Sequence, residues 1–69
     1  MIGLGEFPTK DGKRYAGHFM PENNMVELFG PLQDPPNVGA ARCVFKDTAT
    51  SVEDARKKID DAIKKGKIK

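Results

Sequence analysis

Residues 50–66 read TSVEDARKKIDDAIKKG, and this stretch decides the fold. Thr50 or Ser51 can cap the start of a helix, since each hydroxyl is followed three residues later by an acidic side chain. Gly66 can adopt the left-handed conformation that ends one. Five apolar residues recur at helical spacing and share one face: Val52, Ala55, Ile59, Ala62 and Ile63. The pattern predicts a helix over residues 51–65 whose apolar face covers a second layer.

The upstream residues supply candidates for that second layer. Residues 14–20 and 25–29 are typical of strands, and the sequence PENN between them predicts a hairpin with a four-residue loop. Residues 40–46 predict a further strand. Residues 30–39 hold three prolines and two glycines, which predicts a loop. Residues 1–10 are compatible with either a short edge strand or a frayed terminus.

These segments indicate an α+β fold. We expect a small antiparallel sheet of two or three strands packed on one C-terminal helix, in a ββ(β)α two-layer arrangement. Residues 11–69 would form a single small domain with a basic C-terminal tail, and residues 47–49 a polar step before the helix. The expected core includes Tyr15, Phe19, Cys43 and Phe45, with either Val26 and Leu28 or Met25 and Phe29 from the second strand. An apolar second face would suit self-association.

Length and composition limit the function classes. Sixty-nine residues form one domain with little room for a buried catalytic cavity. A single cysteine excludes an intramolecular disulfide and a cysteine-rich zinc site. The opening MIGLGEF has neither a basic leader nor a sustained apolar run, and no stretch is long enough to cross a bilayer. We therefore expect a cytoplasmic protein with no cofactor, metal site or membrane association.

The positive charge lies toward the C-terminus. The net charge is +2, yet residues 56–69 carry seven basic and two acidic side chains. Two interpretations stay open: the lysines are the solvated face of a helix, or they contact phosphates. The first is favoured by four acid–lysine pairs with i, i+4 spacing: Glu53–Lys57, Asp54–Lys58, Asp60–Lys64 and Asp61–Lys65.

The order of elements resembles two families of DNA-binding domain. Strands followed by VFKDTATSVEDARKKIDDAI (residues 44–63) are similar in layout to the ethylene-response-factor type domain and to the arm-binding domain of phage-type integrases. In both families the exposed face of a three-stranded sheet enters the major groove. The resemblance implies that Arg14, His18, Arg42 and Lys46 lie on the sheet face and that the C-terminal lysines contact phosphates.

Two functions follow. The first is a small non-enzymatic interaction module that binds a protein partner or itself, with at least a weak homodimer formed through a strand edge or the second sheet face. The alternative is a small nucleic-acid-binding protein that uses the sheet face and the basic helix end. We expect no catalytic residues, because His18 and Cys43 lack suitably spaced partners. The nucleic-acid-binding candidates are Arg14, Arg42, Lys46, Lys64, Lys65, Lys67 and Lys69.

Overall fold

A computed structural model describes residues 1–32 and 42–68. The expectations for residues 33–41, and for Lys69, lie outside the described residues. The sheet is antiparallel with strand order β1-β2-β3-β4, and one helix follows it. This confirms the α+β class, although the sheet has four strands rather than two or three. The elements are β1 (Ile2–Pro8), β2 (Arg14–Met20), β3 (Met25–Gly30), β4 (Arg42–Thr48) and α1 (Val52–Lys64).

The additional strand is β1, whose composition disguises it. Two glycines and a proline lower its intrinsic strand propensity. Gly3 pairs with His18 and Gly5 with Gly17, so Leu4 is an extra residue in a β-bulge. Pairing with β2 and burial of Leu4, which is 3% exposed, outweigh the poor local propensity.

The helix begins as the sequence predicts. The Ser51 side chain accepts a hydrogen bond from the Asp54 N–H at 3.1 Å, and the Asp54 carboxylate accepts one from the Thr50 N–H at 3.0 Å. The first bond satisfies an amide that the first turn leaves free, and the second satisfies the N–H of the residue before the cap. The predicted apolar face is confirmed, since Ala55, Ile59 and Ala62 are buried while Val52 and Ile63 pack partly buried against the core.

The end of the helix also matches the sequence signal. Gly66 has a φ of 67°, and its N–H donates to the Ile63 carbonyl at 3.2 Å. The Lys67 N–H donates to the Ala62 carbonyl at 2.8 Å. These two bonds form a Schellman motif, which satisfies carbonyls of the last turn.

The core lies between the sheet and α1. Val26 and Leu28 of β3 are fully buried there with Ile59, which leaves Met25 and Phe29 on the opposite side of the sheet. This settles the choice that the sequence left open. The other buried apolar residues of the cluster are Leu4, Phe7, Tyr15, Phe19, Val44, Ala49 and Ala55.

The core contribution of β4 differs from the prediction. Cys43 is exposed, not buried, while Val44 is only 7% exposed and Phe45 is partly buried. Leu28 pairs with Phe45 and Phe29 with Cys43, so Val44 is an extra residue in a second bulge. Simple alternation cannot anticipate such a residue. The predicted polar step is also shorter, because residues 47 and 48 belong to β4.

Candidate interaction surface on the sheet

The side of the sheet opposite α1 is the candidate functional surface, and we call it the outer face. Its centre consists of side chains from the two middle strands, β2 and β3, all of them half-exposed. The strand pairing places Ala16 beside Phe29, His18 beside Glu27 and Met20 beside Met25. Four of these six side chains are apolar, so the centre is mainly an apolar platform with one histidine and one carboxylate.

His18 occupies an unusual position on this platform. Its ring centroid lies 5.5 Å from that of Phe29, with the two planes tilted by 52°. The His18 Nδ1 atom is buried and has no hydrogen-bond partner among the described residues. A buried polar atom without a partner costs free energy, and a group brought by a binding partner could satisfy it.

An ion pair flanks the platform on each side. On the β1 side, Arg14 lies 3.4 Å from the Glu6 carboxylate. On the β4 side, the Lys46 ammonium lies 3.8 Å from the Glu27 carboxylate. Exposed pairs of this kind contribute about 0–1 kcal/mol each. Their main effect is to make the charge of the outer face balanced.

The strand residues predicted to bind nucleic acid lie on different sides of the sheet. Arg14 and Lys46 lie on the outer face, each in an ion pair. Arg42 pairs with Gly30, and Gly30 lies beside Tyr15, which is buried on the helix side of the sheet. Arg42 therefore lies on the helix side rather than on the outer face. The arrangement therefore does not join Arg42 to the other two in one stripe.

The C-terminal lysines form a separate group at the end of α1. Of the four predicted i, i+4 pairs, Asp61–Lys65 closes to an ion pair, at 3.3 Å. Lys58 instead donates to the Thr48 carbonyl at 2.8 Å. Within residues 1–32 and 42–68, Lys64 and Lys67 belong to no ion pair.

Both edges of the sheet are irregular. The bulges at Leu4 in β1 and Val44 in β4 interrupt the regular hydrogen-bonding pattern of the two outermost strands. Bulges of this kind hinder the addition of a further strand. The two edges are therefore poorly suited to regular strand pairing with another chain.

Sequence reasoning named only part of the outer face. It placed Arg14, His18 and Lys46 on the sheet face and anticipated an apolar second face, but it left open whether Met25 and Phe29 belong to that face. The pairing of β2 with β3 answers this question, since it places Phe29 beside Ala16 and Met25 beside Met20.

Comparison with protein-family models, with curated proteins and with solved structures found no match to this chain. In the part of the chain that the structure describes, no helix has the length and apolar character needed to span a membrane. The same residues contain no cluster of three or more histidine, cysteine or acidic side chains arranged to hold a metal ion.

Proposed function

We propose that this chain is a small non-enzymatic interaction module that binds a second copy of itself through the outer face. The observation that carries the proposal is the apolar platform on β2 and β3, which lies opposite the only helix in the described residues. Clustered apolar side chains that stay accessible to solvent are typical of binding surfaces.

The charges of the outer face suit a copy of the same surface. A two-fold axis parallel to the strands would place the β1 side of one copy over the β4 side of its partner. The Glu6–Arg14 pair would then approach the partner's Glu27–Lys46 pair, so that each copy offers both signs of charge to the other. Such complementarity fixes register and discriminates against unsuitable partners.

The size of the molecule is compatible with a weak dimer. The Cα positions extend over 32 × 25 × 16 Å, so the broad face has a projected area of roughly 800 Å². A standard-size interface buries about 800 Å² on each partner. Because a contact between two twisted sheets covers only part of the broad face, we expect reversible association at micromolar to millimolar concentration.

The outer face is less suited to nucleic acid. Binding of a duplex depends on cations that displace counterions from phosphates. Arg14 and Lys46 on this face already lie beside carboxylates, and Glu6 and Glu27 would repel the phosphate backbone.

Sedimentation equilibrium over a wide concentration range tests the proposal. Met25→Lys adds a charge to the platform, and two such charges would meet in a symmetric dimer. We expect its dissociation constant to rise by roughly a hundredfold, because like charges at an interface cost several kcal/mol. Ile2→Lys is the matched control, since Ile2 is 41% exposed but lies in the helix-side row with Phe19.

Circular dichroism of both variants would check that they remain folded. A parent protein that stays monomeric at near-millimolar concentration would overturn self-association. Equal weakening by Met25→Lys and Ile2→Lys would show that the contact does not use the outer face.

A further inference from the structure

A groove separates the β1–β2 turn from the C-terminal end of α1. It has a volume of about 400 Å³, within the range of small-molecule sites. Its apolar wall contains Tyr15, Ile63 and Ile68, and three lysines also line it: Lys10, Lys13 and Lys64. Thr9, Asp11 and Gly66 complete the lining.

The charge of this groove is positive and incompletely balanced. Among the described residues that line the groove, Asp11 is the only one with a carboxylate, and the turn already engages it: it accepts hydrogen bonds from the Thr9 hydroxyl and, at 3.4 Å, from the Lys13 N–H. The Lys13 ammonium lies 3.9 Å from the same carboxylate. Lys10 and Lys64 have no ion-pair partner among the described residues. The groove therefore has a net attraction for anions.

The apolar wall belongs to the folded core. Tyr15 is 5% exposed, and Ile63 and Ile68 pack partly buried against the buried cluster. The helix end beside them is capped, since the Gly66 and Lys67 N–H groups bond to carbonyls of the last turn. Those carbonyls are therefore paired, which reduces the repulsion that a helix C-terminus exerts on an anion.

The geometry points to a small anionic amphiphile as the ligand: an acyl carboxylate of medium chain length. Its chain would lie against Tyr15, Ile63 and Ile68, and its carboxylate would lie between Lys10 and Lys64. Burial of the chain supplies most of the affinity, and the lysines fix the orientation of the head group. This inference is independent of the outer face, which lies on the other side of the sheet.

The test is a titration of the ¹⁵N-labelled protein with decanoate below its micelle concentration, followed by NMR. We expect the largest shifts in residues 9–15 and 63–68. Lys10→Gln combined with Lys64→Gln should weaken binding by roughly tenfold, since it removes the two exposed cations nearest the expected position of the head group. The control combines Lys46→Gln with Lys57→Gln, which removes the same charge from residues that do not line the groove.

Decanol is the uncharged counterpart of the probe. It should bind at least several-fold more weakly than decanoate, because it lacks the charge that the lysines attract. Three results would overturn the inference: no shifts at millimolar decanoate, equal binding of decanol, or equal weakening in the two double variants. Shifts confined to the outer face around His18 and Phe29 would overturn it as well.

Discussion

Replacing Gly17 with alanine places a methyl group in the contact between β2 and α1. The added Cβ would lie 2.7 Å from the Ile59 Cδ1 atom and 2.7 Å from the Phe7 Cε1 atom. Unstrained carbon atoms lie about 3.5–4.0 Å apart. Ile59 is fully buried and cannot turn toward solvent, so its side chain, the Phe7 ring or the helix must shift within the packed core. Overpacking of this kind costs about 1–3 kcal/mol, against a total stability of roughly 3–10 kcal/mol for a chain of this length.

A double-mutant cycle shows whether the cost arises at this contact. Ile59→Val removes the Cδ1 atom and should alone destabilise by about 0.5–1.5 kcal/mol. Combined with Gly17→Ala it also removes part of the clash, so the double variant should be more stable than additivity predicts by about 0.5–1.5 kcal/mol. The rescue is partial because the contact with Phe7 remains.

Urea unfolding followed by far-ultraviolet circular dichroism measures these differences. One fixed low protein concentration avoids a contribution from dimerisation. Gly3→Ala is the control, since nothing lies within 4 Å of its added Cβ, and we expect a change within about 0.5 kcal/mol. If Gly17→Ala is as mild as Gly3→Ala, or if the cycle is additive, the close approach of α1 to β2 is not the cause.

Three further predictions follow from local contacts. Ser51→Ala removes the helix cap and should lower stability by about 1 kcal/mol in thermal unfolding, whereas Ser51→Asp should retain most of it. The Thr9 hydroxyl donates to the Asp11 carboxylate and holds the pKa of Asp11 below 3.8. The ionised Asp11 therefore stabilises the fold above pH 3.8, and this contribution is lost as the pH falls through the lower folded-state pKa. An NMR carboxyl titration of Asp11 with a midpoint at or above 3.8 would contradict this. In a salt titration, we expect no binding of duplex DNA at physiological ionic strength. Binding that persists at that ionic strength and is abolished by the substitutions Lys64→Gln and Lys67→Gln would favour the nucleic-acid alternative.

The helix and the hairpin could be predicted because their signals are local. Helical periodicity, the Ser51 cap and Gly66 all act within the same seventeen residues, and the structure reproduces them to within a residue or two. The turn between β2 and β3 is equally local: Met20 pairs with Met25, and Asn24 takes the positive φ of 52° that asparagine tolerates.

The candidate surface could be predicted only in part. The alternation of β2 indicates that His18 and Arg14 share a side of the strand, but sequence spacing does not reveal which acids pair with the basic residues. Glu6 is eight residues from Arg14, and Glu27 lies on a different strand from Lys46. The groove at the helix end likewise depends on tertiary contact between residues 9–13 and the helix terminus.

The two bulges bear on both the prediction of the edge strands from sequence and the choice of binding surface. In each edge strand an extra residue, Leu4 or Val44, joins the core and breaks the period-two pattern on which strand prediction depends. The same extra residue interrupts the row of backbone groups that a neighbouring chain would need for edge pairing. With both edges protected and one side of the sheet covered by α1, the outer face is the broad sheet surface on which we expect association. A dimer that survives Met25→Lys but responds to substitutions along β1 or β4 would contradict this link between bulges and binding.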